Sequence, residues 1–77
     1  MKTQKVRYQI FDPNGLSISE GVCDILESSS LIDLLSSIHD ELRGIPNSHV
    51  IQIKSGIMNG RKFLVEKGGW SELIKLN

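Results

Sequence analysis

The stretch Lys5-Val6-Arg7-Tyr8-Gln9-Ile10-Phe11-Asp12-Pro13-Asn14-Gly15-Leu16-Ser17-Ile18-Ser19 decides the fold. From Lys5 to Phe11 the residues alternate. Val6, Tyr8 and Ile10 share one face; Lys5, Arg7, Gln9 and Phe11 share the other. Period two with β-branched and aromatic residues reads as a strand. Asp12-Pro13-Asn14-Gly15 then supplies a turn, with Pro setting φ, Asn tolerating the second position and Gly accepting positive φ. A two-residue Asn14-Gly15 loop sets Ile10 opposite Ser19 and mixes faces. A three-residue Pro13-Asn14-Gly15 loop sets Ile10 opposite Ile18 and Val6 opposite Val22, so shared burial favours it. The return strand is expected from Leu16 to about Val22. Gly21 reads as a bulge or bend, past which Cys23 and Ile25 take over the apolar positions.

Downstream of this hairpin, Ser30 and Asp33 have capping-box spacing, and Leu31, Leu34, Leu35, Ile38 and Leu42 form one helical stripe. Gly44 and Pro46 end the helix. His49 to Met58 reads as a third strand, with Ile51, Ile53 and Ile57 on one face. A three-residue Met58-Asn59-Gly60 loop would pair Ile53 with Val65 and Ser55 with Phe63. Gly68-Gly69 breaks the fourth strand. In the tail from Trp70, the spacing of Trp70, Leu73 and Ile74 predicts a short helix, with a strand as the poorer fit.

The expected fold class is therefore α+β, ββαββ: a four-stranded antiparallel or mixed sheet with one helix on one face. The order of hairpin, helix and further strands resembles that of a β-grasp domain. Beneath the helix the reading places Val6, Tyr8, Ile10, Ile18, Val22, Ile51, Ile53, Ile57, Phe63 and Val65. The uncovered face is left with Lys5, Arg7, Gln9, Phe11, Ser17, Ser19, Gln52, Lys54, Lys62, Leu64 and Glu66.

Seventy-seven residues suffice for one domain that buries roughly 60–65% of its unfolded surface. A deep cleft would consume much of so small a core. No apolar run can span a bilayer, and the N-terminal residues do not read as a signal peptide. The single cysteine, Cys23, excludes an internal disulfide, and no zinc or other metal spacing is present. The expectation is a cytoplasmic protein without metal or cofactor. Cys23, His39 and His49 are the only groups suited to nucleophilic or proton-transfer chemistry near neutral pH, and nothing in the sequence brings them together. No phosphate-loop or dinucleotide glycine spacing occurs. No catalytic residue is assigned.

Charge is informative because it is segregated. Net charge is zero, yet residues 20–43 carry six acids and one base, and the rest carries eight bases and three acids. An acidic helix face of Asp33, Asp40 and Glu41 then suggests a non-enzymatic module that binds another protein, for instance a phage- or plasmid-encoded inhibitor or adaptor. The alternative is single-stranded nucleic acid on the open face, through Lys5, Arg7, Lys54 and Lys62 with Phe11 as a stacking platform. Homodimerisation through an uncovered sheet face or edge is a third expectation.

Overall fold

A computed structural model describes residues 2–42, 44–56, 58–67 and 69–74. The elements are β1 (Thr3–Phe11), β2 (Ser17–Leu26), α1 (Leu31–Glu41), β3 (Val50–Ile53), β4 (Lys62–Glu66) and β5 (Gly69–Leu73). They form one five-stranded antiparallel sheet of order β2-β1-β3-β4-β5 with α1 on one face. The α+β class stands. Four strands become five, the element order is ββαβββ, and no parallel pair supports the mixed-sheet alternative. The order of hairpin, helix and further strands that resembles a β-grasp domain is kept, but every neighbouring pair is antiparallel.

The first hairpin closes through Pro13-Asn14-Gly15. Gly15 N–H donates to Asp12 O (2.9 Å), Asp12 N–H donates to Leu16 O (2.8 Å), and Gly15 sits at φ 86°. A left-handed φ costs glycine little, which is why Asn-Gly serves here. The Asp12 carboxylate accepts from the Asn14 and Leu16 N–H groups and ties the loop down.

Beyond the loop the register departs from expectation. Phe11 pairs with Ser17, but Ile10 pairs with Ser19 and Val6 with Cys23. Ile18 is the extra residue of a β-bulge, displaced a few residues upstream of Gly21. Because side chains alternate, this one-residue slip exchanges the faces of β2. Ile18 and Val22, expected beneath the helix, are exposed. Cys23 and Ile25 are buried, and Ser19 leaves the open face to pair with Ile10. Gly21 is no bulge. It pairs with Tyr8 and gives room to that ring.

The second hairpin also differs. Ile51 pairs with Phe63 and Val50 with Leu64, so the expected Ile53–Val65 and Ser55–Phe63 pairs are replaced. The strand stops at Ile53, short of Met58, because Ser55-Gly56 turns the chain out of line and Gly56 takes φ 79°. Gly60 N–H then closes on Ile53 O at 2.8 Å. The shift is an even number of residues, so the apolar faces stay matched. Ser55 still takes part in the sheet: its Oγ accepts the Arg7 backbone N–H at 2.8 Å.

The helix is as expected. Ser30 caps it: Asp33 N–H donates to Ser30 Oγ and Ser30 N–H to the Asp33 carboxylate, both at 3.2 Å. Such a cap contributes about 1 kcal/mol. Leu34, Leu35 and Ile38 are fully buried, with Leu31 and Leu42 packed beside them. They close over Val6, Tyr8, Ile10, Cys23, Ile25, Ile51, Ile53, Phe63 and Val65 in one cluster. Ile57, also expected there, lies outside the described residues.

The tail is strand, not helix. β5 pairs Trp70 with Val65 and Glu72 with Phe63, so Trp70 and Glu72 point to the helix side. Trp70 packs against the core and meets His39 edge-on, ring centroids 6.2 Å apart. Glu72 is held by a bidentate pair from Arg61, Nε to Oε2 at 2.8 Å, while the Arg61 guanidinium carbon lies 5.5 Å from the Phe63 ring centroid. That clamp holds the Glu72 carboxyl below its ordinary range.

Candidate functional site: two opposed surfaces

Two surfaces remain once the core is accounted for. The first is the sheet face away from α1. Cross-strand partners share a face, so the pairings define its rows. One row runs Ser17–Phe11–Val50–Leu64–Ser71 across all five strands. The next runs Glu20–Gln9–Gln52–Lys62–Leu73. Phe11, Val50 and Leu64 are half-buried against one another, and Leu73 is exposed. Together they floor a groove of about 500 Å³, with Pro13 on one lip. Ser48, another lip residue, holds φ 68°, unusual for a residue with a side chain.

The register slip makes this face less basic than the sequence suggests. Lys5, Arg7, Lys54 and Lys62 do occupy it, with Arg7 and Lys54 together on the rim of a smaller depression. The slip also brings Glu20 and Asp24 there, while Glu66 lies on the β4 end. Four cations against three carboxylates leave +4 − 3 = +1. Lys5 Nζ is 4.0 Å from the Asp24 carboxylate. Phe11, the expected stacking platform, belongs to the apolar row and is not a projecting ring. Val22 and Leu26 also join this face, through the β2 slip that alternation alone did not reveal.

The second surface is the outside of α1. At 100° per residue, Asp33 and Asp40 lie nearly in line and opposite the Leu34–Leu35–Ile38 stripe, about 10 Å apart along the axis. Glu41 sits toward the flank, where its charge helps raise the Tyr8 and Cys23 pKa values, burial being the larger cause. The three carboxylates are not equivalent. Asp33 completes the cap, where the helix N-terminus favours a negative charge. Asp40 and Glu41 lie at the opposite end, where the dipole disfavours each by about 0.3–1 kcal/mol.

No family model, curated protein or solved structure matches the chain.

The groups capable of covalent or proton-transfer chemistry have separate neighbours. Cys23 Sγ is buried on β2, 3.9 Å from Asp24 O. His39 packs on Trp70, and His49 Nδ1 lies 3.2 Å from Asn47 O. Burial, with the Glu41 and Asp24 charges behind it, pushes the Cys23 thiol above its ordinary value of 9.0. The neutral thiol is therefore the form the fold favours. Because the thiolate is the nucleophile, native Cys23 should react with iodoacetamide at pH 8 at least tenfold slower than the same chain in 6 M guanidinium. Equal rates in the two states would contradict the buried position. Among the described residues no group of three or more His, Cys, Asp or Glu side chains is arranged to hold a metal. No helix there is long and apolar enough to cross a membrane.

Proposed function

We propose that this is a non-enzymatic binding module that engages another protein through the outer face of α1, presenting Asp33, Asp40 and Glu41 to a basic surface. The observation that carries this reading is the position of Asp40 and Glu41 in the last helical turn. Charges that oppose the local dipole are a cost to folding, and such departures from local preference concentrate at functional positions. An inhibitor or adaptor that covers a cationic site on its partner is the concrete form. The negative charge of the carboxylates would let it compete with nucleic acid there.

The test separates binding from folding. In Asp40→Lys with Glu41→Lys, the helix dipole is complemented, so thermal stability should hold or rise by about 0.5–2 kcal/mol. Capture of a basic partner by the tagged full chain, scored by mass spectrometry, should nevertheless be lost. Undiminished capture by this well-folded double variant removes the acidic-face reading. The alternative, single-stranded nucleic acid on Lys5, Arg7, Phe11, Lys54 and Lys62, receives less support from a face where carboxylates interleave the cations. A salt-sensitive shift with oligonucleotides, unaffected by the Asp40 and Glu41 changes, would favour it.

A further inference from the structure

The open sheet face has a symmetry that alternation within any one strand does not show. Its central row is Ser17–Phe11–Val50–Leu64–Ser71. Read from either edge, that row is serine, apolar, apolar, apolar, serine. Its middle residue, Val50, stands on β3, the middle strand of the five. A two-fold axis parallel to β3 and between two such faces maps β3 onto β3, β1 onto β4 and β2 onto β5. Phe11 of one copy then meets Leu64 of the other, Val50 meets Val50, and serines meet serines at the margins.

The adjacent row, Glu20–Gln9–Gln52–Lys62–Leu73, fits the same operation. Gln52 meets Gln52, two amides that can donate and accept to each other. Gln9 meets Lys62, and Glu20 meets Leu73, one strand away from that lysine. The operation that matches the apolar row thus leaves Glu20 within one strand spacing of the opposing Lys62. Arg7 and Lys54 lie one row further out, at the rim, where solvent and salt screen them.

We infer that the open face of the sheet is the contact surface of a two-fold homodimer, with Val50 and Gln52 on the axis. The partner this face fits is a second copy of the chain. The inference goes beyond the acidic-helix reading and does not depend on it, since α1 lies on the far side of the sheet. A dimer built this way turns both helices outward. Two sheets packed face to face with their strand directions aligned to within about 30° are an ordinary arrangement.

Size sets the strength. Five strands about 4.8 Å apart and some five to seven residues deep offer roughly 400–550 Å² per copy. That is the low end of specific interfaces, so association is concentration-dependent. A self-complementary patch contacting its own copy is the usual construction of a two-fold dimer.

Static light scattering of the full chain, from about 10 µM to about 1 mM, is the test. The mass should climb from 8.6 kDa toward twice that value. Val50→Asp sets two carboxylates against each other on the axis and should weaken association about a hundredfold or more. Should Val50→Asp fail to fold by circular dichroism, a cysteine variant carries the test. Gln52→Cys in a Cys23→Ser background should form an interchain disulfide under mild oxidation. Ile32→Cys in that background, exposed on the helix side, should not. A one-chain mass at 1 mM overturns the inference. So does a dimer that survives a folded Val50→Asp, or equal cross-linking at positions 52 and 32.

Discussion

Phe63→Ala is expected to remove a quarter or more of the stability of the fold. Phe63 is among the largest fully buried side chains, at 1% exposure, and it lies where three supports converge. Ile51 pairs with it across β3–β4, Glu72 across β4–β5, and the Arg61 guanidinium covers its ring. Phe→Ala in a core costs about 3–5 kcal/mol in lost transfer energy and residual cavity. At about 0.05–0.15 kcal/mol per residue, a domain this size has about 4–12 kcal/mol in all. Truncation also leaves the Arg61–Glu72 clamp with nothing to rest on. In urea titration the midpoint should therefore fall by a quarter or more. Leu64→Ala, one residue along on the open face, should cost less than about 1.5 kcal/mol. Equal costs at positions 63 and 64 would mean that the two faces of β4 have been assigned wrongly.

Gly21→Val provides the second large effect, and here intuition points the other way. Valine is a preferred strand residue, so propensity alone predicts a gain of up to about 1 kcal/mol. Gly21 does not adopt a positive φ, so backbone conformation raises no objection. The obstacle is Tyr8. A Cβ at position 21 would lie 2.6 Å from the Tyr8 hydroxyl oxygen and 2.9 Å from Cζ. Tyr8 is only 3% exposed, so its ring has to leave its packed position to make room. Overpacking of this kind costs about 1–3 kcal/mol, and a domain of this length loses about 4–8 °C in Tm per kcal/mol. Gly21→Val should therefore melt some 5–20 °C lower. Tyr8→Leu in the Gly21→Val background should recover part of that loss, because the shorter side chain vacates the contested space. If valine raises Tm in the wild-type background, the glycine is there for some reason other than the ring.

These cases show which parts of the fold are legible in the sequence. The helix is legible throughout, because its signals are local: Ser30, Asp33 and the leucine stripe act within a few turns. The buried face of β1 is legible because its alternation is unbroken. The bulge at Ile18 is not. Leu16-Ser17-Ile18-Ser19 alternates as well as a regular strand, and only the burial of Cys23 and Ile25 further on shows that one residue must be skipped. The two candidate surfaces inherit that limit. Asp33, Asp40 and Glu41 were placed by helical periodicity. The acids of the open face depend on the slip, so alternation assigned that face too much positive charge. β5 escaped for another reason. Its pattern is inverted, with Glu72 on the helix side and Leu73 facing out, because Arg61 receives the carboxylate there. Nothing within Trp70–Leu73 announces a partner eleven residues upstream.

The position of β1 inside the sheet has a consequence for how the chain is made. One edge of β1 is satisfied at once by β2, which follows after a three-residue loop. The other edge pairs with β3, about 45 residues later in the chain. At synthesis rates of roughly 5–20 residues per second, that edge waits some 2–9 s on the ribosome before its partner exists. During the wait, Val6, Tyr8 and Ile10 belong to a lone hairpin, which is only marginally stable in water. Nascent chains stalled before residue 50 should therefore be far more easily digested and more prone to associate than the finished protein. The vulnerable moment in the life of this molecule comes before its last third has been translated.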